Sequence, residues 1–236
     1  FYTISVDNET PYNVYGGMQD NGTWRGSSHV KSSAGDVMGL SNSNKWEFLT
    51  GGDGFYVQID PTDKDIFYSE SQWGWVSRTM HGKRKSIKPR PKKKGEKYRF
   101  NWSSPILLSK HNRFTLYFGG NKLFKSLNQG DDWKEISPDL SYEDTTRIGD
   151  VTFGTITSIT ESPFDADLLY IGTDDGRVWR TDNGGTSWEH LDDTIPDKWV
   201  TRITASKYNV NRVYLSLSGY RQDEMDNYFL HGIVST

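Results

Sequence analysis

There is no cysteine in the 236 residues, which excludes disulfide staples and thiolate metal sites. Proline is scarce, at 8 residues. No apolar stretch approaches the roughly 18 residues that a membrane-spanning helix needs. The five histidines (His29, His81, His111, His190, His231) are scattered over turns, without the spacing of a zinc or iron site. Residue 1 is Phe, inside an apparent strand, so no signal peptide can be read. What the chain does hold is 23 glycines and 14% aromatic residues, with 9 Trp and 13 Tyr. Many glycines and aromatics with few aliphatic runs predict an all-β protein rich in turns.

Charge is uneven. The stretch "KRKSIKPRPKKKGEKYR", Lys83–Arg99, holds ten Lys/Arg and one Glu, a local +9. Since the total is -3, everything else carries -12. This run reads as a basic surface insertion that Pro89 and Pro91 keep extended, or as a patch for nucleic acid, anionic polysaccharide or an anionic surface. Only Tyr98 and Phe100 interleave it, at its edge, so a base-stacking platform is not expected there.

A repeat organises the rest. A strand ending in an apolar residue followed by Tyr recurs roughly every 50 residues, at Tyr15, Tyr68, Tyr117, Tyr170 and Tyr214. Each lies between a β-rich run upstream ("YTISVD", "FYVQID", "PILLS", "TSITES", "TRITAS") and another downstream ("GTWRG", "WGWVSR", "KLFKS", "RVWRT", "YFLHG"). In the two clearest units a fourth strand follows a tight turn, as "WKEIS" or "WEHLD". Four short antiparallel strands per unit predict blades of a β-propeller, with boundaries near 1–50, 51–100, 101–150, 151–198 and 199–236. One such sheet cannot bury both faces, whereas stacked neighbours do. The chain ends at Ser235 and Thr236 where a third tight turn is due, so the expectation is a partial propeller of about four and a half blades.

The turns "SLNQGDDW" (Ser126, Asn128, Gly130, Trp133) and "TDNGGTSW" (Thr181, Asn183, Gly185, Trp188) resemble the Asp-box of the bacterial neuraminidase repeat, with Asn where the pattern has Asp. With "VYGGMQDNGTW", "GGDGFYVQID" and "FNWSSPILLS", nearly the whole chain outside the basic run resembles exported bacterial glycosyl hydrolase- or sialidase-like propellers, and also the sortilin ectodomain. The resemblance implies an extracellular, periplasmic or cell-surface protein. It implies a glycan or peptide ligand, and the remainder of the propeller or a second propeller as partner. No cofactor is expected, a Ca²⁺ on acidic loops being the alternative.

In antiparallel blades the turns joining strands 2–3 and 4–1 share one end, opposite the Asp-boxes. That end gathers Gln19, Asp20, Asp53, Glu70, Gln72, Trp73, Asn101, Trp102, Asp174, Asp175, Tyr220 and Arg221, with Arg202 nearby on its strand. Carboxylates, amides and Trp are what sugar recognition uses. Asp20, Asp174 and Asp175 also read as turn formers beside glycine. The Phe-Arg-Ile-Pro signature of true sialidases is missing, "TRIT" at Thr201–Thr204 having only Arg-Ile. The resemblance to xyloglucanase-type hydrolases implies two acids about 6.5–9.5 Å apart. Asp20 or Asp53 is the candidate base, with Glu70 or Asp175 nearby. A sortilin-like or scaffold propeller without chemistry is the other reading.

Overall fold

The structure, a computed structural model, describes residues 2–29, 46–147, 152–191, 195–219 and, as backbone alone, 228–234. The candidates Tyr220 and Arg221 lie outside the described residues. The strands form five antiparallel sheets, each a meander in which chain neighbours pair. Sheet 1 is β1 (Ile4–Val6), β2 (Asn13–Met18), β3 (Gly22–Ser27) and β4 (Glu47–Thr50). Sheet 2 is β5 (Gly54–Asp60), β6 (Asp63–Ser71), β7 (Trp75–Met80) and β8 (Lys83–Ser86). Sheet 3 comprises β9 (Ile106–Leu108), β10 (Leu116–Gly119), β11 (Leu123–Ser126) and β12 (Lys134–Glu135). Sheet 4 comprises β13 (Ile156–Glu161), β14 (Leu169–Thr173), β15 (Val178–Thr181) and β16 (Glu189–His190). Sheet 5 has three strands, β17 (Trp199–Ala205), β18 (Arg212–Ser218) and β19 (Tyr228–Val234). The fold is all-β, as the repeat predicts, with no α-helix among the described residues. Sheets 1 and 2 form one compact unit, up to Lys88, and sheets 3, 4 and 5 another, from Pro89.

The recurring tyrosines lie on a packed face of the second strand in sheets 1 to 4, whereas in sheet 5 that face carries Val213, Leu215 and Leu217. Tyr15, Tyr68, Tyr117 and Tyr170 are fully buried, while Tyr214 is 43% exposed. Between sheets 3 and 4, Tyr117 and Leu123 meet Ile156, Ile159, Leu169 and Ile171. Between sheets 4 and 5, Tyr170 and Val178 meet Val200, Ile203, Val213 and Leu215. In the first unit, Gly17 lets two sheets touch backbone to backbone: a Cβ there would lie 2.2 Å from the carbonyl carbon of Gly54.

A second periodic signal accompanies the tyrosines. Eight residues before each stands Asp7, Asp60, Ser109, Ser162 or Ser206, at the end of a first strand. Each side-chain oxygen accepts the amide two residues on: Glu9 at 3.2 Å, Thr62 at 2.9 Å, His111 at 3.1 Å, Phe164 at 3.2 Å and Tyr208 at 3.1 Å. These Asx- and Ser-turns close every hairpin between first and second strands. First strands then bond neighbouring sheets through hydroxyls. Thr3 and Ser5 donate to the carbonyls of Phe55 and Val57, and Thr157 donates to that of Val200.

Both ends of the basic run are engaged by sheets, one as a strand and the other by packing. Lys83–Ser86 is β8, the outer strand of sheet 2, its residues exposed. At the other end Tyr98 packs on Phe124 at 4.7 Å, and Arg99 bonds Asp139, Ser141 and Gly154. Partners so far along the chain hold the run down where composition alone reads solvated loop.

Candidate functional site

In the first unit the turn joining strands 2 and 3 of each sheet meets the connection between sheets. Asp53, in the segment entering β5, is 5% exposed, and its Oδ1 accepts the amide of Asp20 at 2.7 Å. The Asp53 amide donates to Gln72 Oε1 at 3.0 Å, an oxygen that also accepts the hydroxyl of Ser71. Asp20, Asp53 and Gln72 are therefore brought together as one hydrogen-bonded chain. Gln19 is exposed beside them and accepts the Tyr2 hydroxyl at 2.7 Å. The Asp20 carboxyl is exposed.

Glu70 is 1% exposed in β6, and the half-buried Lys88 is its electrostatic neighbour. Burial lowers the Lys88 ammonium from its ordinary value, with the Glu70 charge opposing. Lys88 Nζ donates to the Trp73 carbonyl at 2.7 Å and lies 5.0 Å from the centroid of the Trp75 ring. Trp73 itself has φ 64 and ψ 29. A left-handed backbone at a bulky side chain stores strain of about 1–3 kcal/mol, and such strain gathers at binding sites. Trp75 is 57% exposed at the start of β7. This end of the first unit thus joins a solvent-facing indole to amides and one open carboxylate.

The second unit treats its acids differently. Asp174, in the turn after β14, is 1% exposed. It accepts the Thr155 amide at 2.8 Å, the Thr155 hydroxyl at 2.6 Å and Asn101 Nδ2 at 3.0 Å. Burial, which outweighs these bonds, pushes its carboxyl up to about 7. Asp175 is equally buried, bonded by the Thr173 hydroxyl and, at 2.7 Å, by the Tyr142 amide. Burial raises it as well. Asn101, Asp174 and Asp175 are latches between loops, sealed from solvent. Trp102 is half-buried, and Arg202 is exposed on β17 opposite Ser216. The exposed aromatic here is Tyr142, 46% accessible, under the guanidinium of Arg177 at 4.6 Å. Nothing in its sequence neighbourhood marks Tyr142, because its partners Asp175 and Asp197 come from later turns.

Among the described residues one grouping has metal-type donors: Asp63, Asp65 and His81, within 4.8 Å of one another. Lys64 at 2.9 Å and Arg25 at 3.0 Å already pair with Asp65, so cationic side chains fill that corner.

The two tight turns share one bonding scheme. Ser126 Oγ accepts the Gly130 amide at 2.8 Å, and Asn128 Oδ1 accepts the Asp132 amide at 2.9 Å. Thr181 Oγ1 accepts the Gly185 amide at 3.0 Å, and Asn183 Oδ1 the Ser187 amide at 2.9 Å. Gly130 and Gly185 take φ 87 and φ 93. Trp188 donates from Nε1 to the Ile136 carbonyl of sheet 3 at 2.9 Å, and Trp133 lies 6.1 Å from the Phe118 ring.

Neither a protein-family model nor a curated protein matches the sequence. Solved structures do. The GH74 xyloglucanase of Xanthomonas campestris superposes with a TM-score of 0.61 at 16% identity, over 94% of this chain and 34% of that one. A GH74 enzyme of Niastella koreensis gives 0.56 at 13% identity, again over 94% and 34%. At such identities the likeness is one of fold: the chain has the β-propeller architecture of these enzymes and spans about a third of their length.

Proposed function

We propose that the chain is a carbohydrate-facing segment of an exported Asp-box propeller, binding a neutral glycan at the loop end of its first unit. The carrying observation is Trp75: a large indole left 57% exposed just after the strained Trp73 and after Gln72, which the Asp53 amide links to the Asp20 turn. Pyranose rings stack on such a face while amides and carboxylates take their hydroxyls. The shared bonding of the two tight turns supports the Asp-box assignment. The GH74 neighbours support a glycan ligand, and their greater length supports a further propeller portion as partner. No helix among the described residues is long and apolar enough to cross a membrane.

A hydrolytic role rests on Asp20 and Asp53, joined through the Asp20 amide. Asp20 is the acid open to a substrate, whereas Glu70 and Asp175 are buried. Binding by this chain, with catalysis needing groups beyond it, accounts for that arrangement better than a complete acid–base pair. Titration calorimetry with xyloglucan oligosaccharides tests the reading. Trp75→Ala is expected to weaken binding about tenfold, the order of one lost stacking contact with its buried area. Equal affinity of wild type and variant overturns the glycan face. Release of reducing ends by wild type but not by Asp20→Asn establishes the hydrolytic role instead.

A further inference from the structure

The basic run divides into cations that the fold uses and cations that it does not. Arg84 donates to Ser77 at 3.0 Å and Lys88 to the Trp73 carbonyl. Arg99 is clamped by Asp139 at 2.7 Å. Glu96, the run's single acid, is held by Lys122 at 2.8 Å. Lys83 and Lys85 stand on β8. Beyond that strand the run leaves Arg90, Lys92, Lys93, Lys94 and Lys97, all exposed, with no hydrogen bond or ion pair from their side chains among the described residues. The acid that acts on Lys93 is Glu135, already bonded to Lys122 at 2.7 Å and to the Tyr98 hydroxyl at 2.5 Å.

These cations are not on a loose tail. The Glu96 amide bonds the Lys93 carbonyl at 3.3 Å, and Gly95 at φ 87 closes the turn. Arg99 is then bonded twice to Asn121: its amide donates to the side-chain Oδ1 at 2.9 Å, and its carbonyl accepts the Asn121 amide at 2.8 Å. Asn121 and Lys122 form the turn between β10 and β11, so the loop is pinned at the end of sheet 3 where binding loops collect. Holding like charges this close costs electrostatic energy that a bound anion removes. Fixing them beforehand reduces what binding must spend on ordering.

We infer that the loop from Arg90 to Lys97 is a docking surface for an acidic polysaccharide, reading carboxylate or sulfate groups along the chain. Nucleic acid fits less well. Tyr98 and Phe100, which would have to stack on bases, are instead packed on Phe124 and Phe118. This surface shares no residue with the Trp75 face and stands independently of it.

The test titrates the full chain with sodium polygalacturonate and with dextran sulfate, which separate carboxylate from sulfate recognition, and with neutral dextran. Duplex DNA and phosphatidylserine vesicles are run in parallel. At low salt, binding to at least one acidic polysaccharide and none to dextran is expected. The triple variant Lys92→Ser, Lys93→Ser, Lys94→Ser should weaken it at least tenfold and flatten the log–log salt dependence by up to about one unit per cation removed. Its melting temperature should match wild type, since those side chains form no hydrogen bond or ion pair among the described residues. Trp75→Ala should leave the acidic interaction unchanged. Binding that the triple variant retains, or tighter binding to DNA or vesicles than to either polysaccharide, overturns the assignment.

Discussion

Asp174 shows how a single side chain couples the folded state to pH. Its carboxyl titrates near 3.8 in an unfolded chain and about 7 when folded, because burial outweighs the bonds from Thr155 and Asn101. Between those values the native state binds the extra proton, so this contribution to stability is complete below about pH 4 and lost as pH rises through about 7. Asp175 is raised by the same burial and adds to the slope in the same sense. Each pKa unit corresponds to about 1.4 kcal/mol, so the expected loss is a few kcal/mol. Urea denaturation at stepped pH should show stability declining between pH 4 and 7 in wild type. Asp174→Asn should make that decline shallower whatever it does to the absolute midpoint. An identical slope in the variant would assign the proton elsewhere. Sequence alone gives no sign of this: "GTDDG" reads the same whether its carboxylates face solvent or fold back onto Thr155 and Tyr142.

At the scale of the element, the two tight turns explain their own departure from the Asp-box pattern. Asn128 Nδ2 donates to Asp132 Oδ2 at 3.0 Å, so a carboxylate at 128 would face another carboxylate. In the second turn Asn183 Nδ2 donates to Ser187 Oγ at 2.7 Å, and a serine hydroxyl can reverse to donate to an aspartate. Asn128→Asp is therefore expected to destabilise by about 1 kcal/mol, a fall in melting temperature of roughly 2–4 °C, and Asp132→Ser to restore it. Asn183→Asp should melt within a degree of wild type. Equal losses in both turns, measured by thermal melts at low salt, would refute the explanation.

Turns and strands of this kind were legible because their signals are local: a Tyr after apolar residues, a hydroxyl two residues before Asn. The caps eight residues ahead of each Tyr were equally present in the sequence, but Asp and Ser share one role there, and a search for a single residue type passes over them. The hydroxyls by which Thr3, Ser5 and Thr157 bond neighbouring sheets, and the fate of Trp75, depend on what another strand places opposite. Composition along one strand does not carry that.

For the molecule as a whole, stability in a stack of sheets is approximately a sum over neighbouring pairs. The pair formed by sheets 3 and 4 is tied at both ends. At the end of the tight turns Trp188 donates to the Ile136 carbonyl, and at the loop end Asn101 donates to Asp174 and, at 2.9 Å, to Thr155. Trp188→Phe removes one donor and leaves a buried carbonyl unmet, while Asn101→Ala strips a donor from a buried acid. Each is expected to cost about 1–3 kcal/mol. If the two sheets behave as rigid plates, the ties act independently and the double variant loses the sum to within about 0.5 kcal/mol. A double-mutant cycle in urea measures this. A double loss smaller than the sum by 1 kcal/mol or more would mean that cutting one end already frees the other, so that the sheets hinge apart and their pairing is not a plate-on-plate contact.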